Sequence, residues 1–219
     1  MDSQRIYRTN LGGGSATGSV YLNSFPLSSL TLAGAGNGNG FQIDGTPIHG
    51  SSQLTEPIRV LTGNGNDHVA IFGGSHPINI ELRSGVYQTV RLGDATHSLD
   101  AIQGEVSISG SGFIDAFVSD AASTAGHLAR IDRIGESQLV ERLVYENGQN
   151  RSLNEFAFEF ADQGRISYQA GRVLTGDYNH IEINGVVANT ELVVSGGLEA
   201  SRAFPRISFW LWRLVMATP

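Results

Sequence analysis

Apolar and polar residues alternate with period two in several stretches of the chain. Phe156-Ala-Phe-Glu-Phe160, Ile166-Ser-Tyr-Gln-Ala170 and Ile78-Asn-Ile-Glu-Leu82 each place every second side chain on one apolar face. Such alternation predicts strands with one buried side. On that basis Phe156, Phe158 and Phe160 are core residues before they are the wall of a ligand groove. Between Leu128 and Tyr145 the apolar positions Leu128, Ile131, Ile134 and Leu139 approach helical spacing. The β-branched residues and the internal Gly135 favour two strands joined by a turn.

Between the strands, one phrase recurs. Its clearest form is Val60-Leu-Thr-Gly-Asn-Gly-Asn-Asp-His-Val-Ala-Ile71: an apolar step, a glycine-rich turn with one Asp, then a strand. Related segments run Leu32–Ile43, Val90–Ile102, Ile108–Val118 and Val173–Ile183. With the glycine after the apolar step as anchor, Gly34, Gly63 and Gly93 lie 29 and then 30 residues apart, and Gly110 follows after 17. Glycine and asparagine suit such turns because both tolerate left-handed φ. The pattern predicts an all-β protein, a parallel β-solenoid or irregular β-helix over residues 12–200. It would be preceded by an N-terminal extension, 1–11, and followed by a cap or non-repeat tail, 201–219. Tandem β-sandwich modules are the alternative, but they have no structural need to repeat one glycine-rich turn. The final segment differs in character: residues 204–219 contain no Gly, Asn or Asp and hold both tryptophans. Its apolar run Ile207–Met216 is too short to span a bilayer as a helix, and no membrane span is expected.

Composition narrows the function. Charged residues are only 16% of the chain, hydrophobic residues 40%, and glycine occurs 28 times; this is a folded, turn-rich composition and not a disordered one. All fourteen basic residues are arginine, and the net charge is −7. That balance argues against nucleic acid, which demands a basic face. With no cysteine, thiol catalysis, thiolate zinc and disulfides are excluded together. Residues 1–14 are polar and carry no signal-peptide core, so export is expected to be directed from elsewhere, or the chain to be internal to a longer protein.

The phrase Leu61-Thr-Gly-Asn-Gly-Asn-Asp-His-Val69 resembles the calcium-binding nonapeptide of haemolysin-type (RTX) secreted proteins, Gly-Gly-x-Gly-x-Asp-x-apolar-x. Gly63, Gly65, Asp67 and Val69 match, and Thr62 stands in place of the first glycine. More loosely, residues from about 30 to 197 are similar to the repeats of large bacterial surface proteins. The resemblance implies an extracellular or cell-surface location, a structural or adhesive role with no catalysis, and calcium as a partner held in the turns. The implied ligand set is Gly63, Asn64, Gly65, Asn66 and Asp67, completed by Asp94 from the next copy, since calcium takes six to eight oxygens. The other copies have lost the charged ligand: Gly38 or Gly40, His97, and Asn179 or His180 fall at its position, and Asp115 is displaced by one. A surface glycan or another surface protein is a further expected partner.

Other chemistry is less well supported. The histidines, 49, 68, 76, 97, 127 and 180, form no ligand pair. Gly34–Gly40 and Gly12–Gly14 lack the lysine and the following helix that a phosphate loop requires. Asp94, Asp100, Asp115 and Asp120 could approach one another on neighbouring strands. This keeps open a carbohydrate-active β-helix, a polysaccharide lyase or hydrolase, or a glycan-binding module, as an alternative function. Arg130, Asp132, Arg133, Glu136, Glu141 and Arg142 are expected to form a solvated face with ion pairs of little energetic weight.

Overall fold

The computed structural model describes residues 5–10, 18–21, 29–34, 36, 38–45, 54–83, 85–124, 127–146, 149–171, 179–195 and 213–214. Among these the protein is all-β: the described segments contain seventeen strands and one 3-10 turn, Leu99–Ala101, and no α-helix. Two sheets contain all the strands. Sheet A holds, in spatial order, β17 (Arg213–Leu214), β16 (Thr190–Ser195), β14 (Gln163–Gln169), β10 (Phe113–Ser119), β8 (Tyr87–Leu92), β6 (His68–Ile71), β4 (Asn39–Ile43), β1 (Arg5–Asn10) and β2 (Gly18–Tyr21). Sheet B holds β15 (His180–Ile183), β11 (Leu128–Ile134), β12 (Ser137–Glu146), β13 (Gln149–Phe160), β9 (Val106–Gly110), β7 (Ile78–Leu82), β5 (Ile58–Leu61) and β3 (Thr31–Ala33).

From β3 to β10 the chain alternates between the sheets at every strand, and each strand pairs in parallel with the next one in its own sheet. Parallel pairing is not the antiparallel pairing that Greek-key sandwich modules are built from. In sheet A the register runs Phe41, Val69, Val90, Ala116, Ile166, Leu192; all six are buried. In sheet B, Val60, Ile80, Ile108 and Phe158 form a corresponding row. These rows belong to one hydrophobic cluster. Apolar side chains therefore stand in rows because parallel register places like position beside like position, and burial on the shared face follows.

Regularity breaks between β10 and β14. Phe113 pairs with Gln163, fifty residues on, and the intervening chain inserts two extra strands into sheet B. There β12 is antiparallel to both β11 and β13, and β11 in turn pairs in parallel with β15. The expected turn at Gly135 is present with φ +63°, the hand that short hairpin turns favour, so Leu128–Tyr145 is two strands as the branched residues indicated. The predicted alternation also holds: Phe156, Phe158, Phe160, Ile166, Tyr168 and Ala170 all face the core. Of the apolar tail Ile207–Met216, only Arg213 and Leu214 lie among the described residues, where β17 pairs antiparallel with β16.

Two glycines make opposite demands. Gly112, in the short link from β9 to β10, has φ +81°, and a Cβ there would fall on the Gly85 carbonyl oxygen; at Gly135 a Cβ would meet nothing within 4 Å. Left-handed φ alone disfavours a side chain by about 1–2 kcal/mol. Gly135→Ala should therefore lose about 1 kcal/mol in urea unfolding, and Gly112→Ala about 2 kcal/mol or more, because backbone must also shift. Equal losses would show that β8 and β10 do not approach as described.

Candidate functional site

The turn Gly63–Asp67 links β5 in sheet B to β6 in sheet A, which is where the repeat phrase placed it. Its groups are largely engaged in holding neighbouring strands. The buried Asp67 accepts through Oδ1 from the Asn39 backbone N–H at 2.6 Å and from Asn39 Nδ2 at 2.9 Å. Its carbonyl accepts from Thr89 N at 2.9 Å, and Asn66 Oδ1 accepts from Tyr87 N at 3.0 Å. Gly65 has φ +136°, and a Cβ at Gly85 would strike the Gly65 carbonyl; Gly63 is not among the glycines with positive φ. One polar atom of the turn is left over: Asp67 Oδ2 is buried with no hydrogen-bond partner.

Asp94 is not brought to this turn. His68 pairs with Thr89 and Ile71 with Leu92, so Asp67 precedes one end of these strands and Asp94 follows the other. The anchor Gly93 marks the return from sheet A to sheet B, a different corner from Gly34, Gly63 and Gly110. Glycine serves both corners for the same reason, close approach of backbone. A Cβ at Gly110 would sit 2.5 Å from the Leu82 carbonyl oxygen, and one at Gly93 would fall on that of Ser119. Asp94 instead closes its own turn, accepting from Thr96 N at 2.7 Å, Thr96 Oγ1 at 2.8 Å, His97 N at 2.8 Å and His97 Nδ1 at 2.9 Å. Burial pushes its carboxyl upward, but these bonds outweigh it and hold the pKa at about 2. A depressed folded-state pKa gives stability that is present above the unfolded value, near 3.9, and lost as pH falls toward 2. In urea unfolding between pH 5 and pH 2, Asp94→Ala should thus be destabilised most at pH 5, with the gap to the parent closing as pH falls. A gap that stays constant would remove the assignment.

A second cluster was not foreseen in full. Arg142, expected on a solvated face, is only 1% exposed and points between the sheets. Its Nη1 donates to Asp120 Oδ1 at 2.7 Å and its Nη2 to Asp100. His127 Nδ1 lies 3.2 Å from Asp120 Oδ2, at ion-pair distance. Burial pushes the Asp120 carboxyl upward, opposed by the His127 ring, and lowers Arg142 to about 10, opposed by Tyr168. Burial likewise raises the Tyr168 phenol. Asn154, opposite Arg142 across a register shift between β12 and β13, donates to the carbonyls of Leu99, at 2.9 Å, and Ile102. Two carboxylates, a guanidinium, an imidazole and an amide thus meet where the antiparallel insert joins the parallel strands. The rest of the expected charged face conforms better: Arg130 lies 3.9 Å from Glu141 and 3.3 Å from Glu182, while Arg133 and Glu136 are exposed.

The four aspartates considered together as acids do not converge. Asp100 and Asp120 share Arg142, and Asp94 closes its own turn. Asp115 sits on sheet A, accepting from Tyr87 Oη at 2.6 Å and from Arg165 through Nε at 2.9 Å and through Nη2. Beside it the rings of Tyr87 and Phe113 stack at 5.6 Å. Of the histidines, His68 meets Thr89 at 3.1 Å and is shifted down by burial and by Arg91. His76 meets the Glu56 carbonyl at 2.7 Å, and His97 stacks on Phe72 at 4.4 Å; His49 lies outside the described residues. Among the described residues no helix is long and apolar enough to cross a membrane. The chain matches no family model, no curated protein and no solved structure.

Proposed function

We propose that the protein is a structural or adhesive segment of an extracellular or cell-surface protein, wound as a parallel β-solenoid. The observation that carries this reading is the row Phe41, Val69, Val90, Ala116, Ile166, Leu192, in which each strand of sheet A repeats the position of its predecessor. A body of this kind lengthens by adding strands to both sheets, and each turn buries its apolar face on the next, which suits a stiff spacer without disulfides. Calcium would add stability at the Gly63–Asp67 turn through Asp67 Oδ2. With one carboxylate oxygen free and Asp94 elsewhere, affinity falls in the millimolar range, about 10⁻⁴–10⁻³ M, usual for extracellular modules.

Two measurements test this. Antibody raised to the chain should label intact cells of its source; labelling only after permeabilisation would end the extracellular reading. Millimolar calcium should raise the melting temperature of the parent by a few degrees and leave Asp67→Ala unmoved, and a rise of equal size in both would place the ion elsewhere. A second reading, a glycan-binding module or carbohydrate-active enzyme, draws on the outward-facing Tyr87 and Phe113 rings beside Asp115 and Arg165. Retention of the chain on immobilised polysaccharide, weakened by Tyr87→Ala, would favour it over the spacer.

A further inference from the structure

The face of sheet A turned away from the core carries a chemistry that the turns and the Arg142 corner do not. Along β8 and β10 every second side chain points outward, which sets Tyr87, Thr89 and Arg91 beside Phe113, Asp115 and Phe117 in register. Tyr87 and Phe113 form a stacked pair of rings, and Tyr87 is 42% exposed. Four residues further along the same strands, the guanidinium of the exposed Arg91 lies over the Phe117 ring, 5.8 Å from its centroid, within cation–π range. Strand rise puts the two ring stations about 13 Å apart. The short side chains of Ala70 and Ser167 flank the second station on the neighbouring strands. On the basis of the glycan-binding reading, we propose that this face docks an acidic polysaccharide, one that carries uronate carboxylates.

Each part of the surface selects a part of that ligand. The C–H face of a pyranose ring is apolar with slightly positive hydrogens, and it complements the negative face of an aromatic ring. A guanidinium presents parallel N–H donors that fit a carboxylate bidentately. Among the described residues Arg91 has the Phe117 ring for a partner and no carboxylate, so its donors are open to a ligand. The acid between the two stations does not repel an anion. Asp115 is fully buried, and its oxygens accept from Tyr87 and from Arg165. Asp44, after β4, and Glu191, on β16, lie at the margins of the face. His68 on β6 has its pKa lowered by burial and then by Arg91, and it adds no charge near neutral pH. A flat sheet face suits a chain that touches both stations at once, because two weak contacts on one molecule reinforce each other.

The test is retention of the whole chain on immobilised polygalacturonate and on its methyl ester, which differ only in the carboxylate. Chelator is present so that calcium cannot bridge. Polygalacturonate should retain the chain more strongly, and added salt should weaken that binding but not binding to the ester. Arg91→Ala should lower affinity for polygalacturonate about tenfold, the order of one charged hydrogen-bonded contact, and leave affinity for the ester unchanged. Tyr87→Ala should lower both, and Arg133→Ala, at an exposed arginine of sheet B, neither. Arg91 is exposed, so its replacement should leave the fold intact, checked by an unchanged melting temperature. Equal retention on the two polymers, or polygalacturonate binding unmoved in Arg91→Ala, would overturn the acidic partner while the glycan reading stands. Retention on neither would overturn both.

Discussion

Arg142→Met should be among the most damaging single substitutions in the protein, lowering stability by about 3–5 kcal/mol. For a chain of this length that corresponds to a fall in melting temperature of roughly 10 °C. The reason is not the strength of the ion pairs but what their loss leaves behind. Asp120 is fully buried, and without the guanidinium its carboxylate has only the His127 ring, 3.2 Å away, beside it. An uncompensated buried charge is far less favourable than a pair, whereas removing both partners is often close to neutral. Arg142→Met combined with Asp120→Leu should therefore recover much of the loss. Arg142→Lys should rescue little, since one ammonium cannot span Asp100 and Asp120 as two guanidinium nitrogens do. Urea unfolding of the three variants checks this; a loss below about 1 kcal/mol for Arg142→Met would mean that the side chain reaches solvent.

Phe156→Ala should rank beside it, at about 3–5 kcal/mol, for a different physical reason. Phe156 is wholly buried in sheet B, paired with Val106 on one side and Val140 on the other. Its neighbours on the two flanking strands are held in place by their own backbone ladders, so lost transfer energy and a cavity add. Ile134→Ala is the control. Ile134 is a comparably apolar residue at the hairpin turn but 59% exposed, and its loss should stay within about 0.5 kcal/mol. Similar losses at both positions would invert the assignment of inner and outer faces.

These two positions also show what the sequence made legible. At Phe156 the alternating phenylalanines could be read directly, because only one parity of the strand is apolar. At Arg142 both parities looked apolar: Leu139 and Leu143 on one, Val140 and Val144 on the other. Alternation cannot choose a face there, and arginine is assigned to solvent by default. Only the pairing of β12 with β13, which sets Val140 opposite Phe156, turns Arg142 inward. The glycine anchors show a similar limit. Gly34 and Gly63 do mark the same corner, since Gly34 N donates to the Leu61 carbonyl at 2.8 Å. Gly93 continues their spacing but sits at the opposite corner, because both corners require close backbone approach and so both are written in glycine. Asp67 was found as a turn residue, yet its bond to Asn39 on the preceding strand depends on register, which no local motif contains. The antiparallel insert was visible as two strands and a turn, but not as an interruption of the parallel order.

The parallel order itself is most directly tested by a distance. Gln42, Ala70, Arg91, Phe117 and Ser167 form one row across sheet A. The chain has no cysteine, so nitroxide labels at Gln42→Cys and Ser167→Cys report that pair alone. Four strand spacings put the two sites about 19 Å apart, to be read with a narrow distribution in a double electron–electron resonance experiment. A distribution that is broad, or centred beyond roughly 30 Å as separate compact modules would give, would contradict the parallel two-sheet arrangement and the function argued from it.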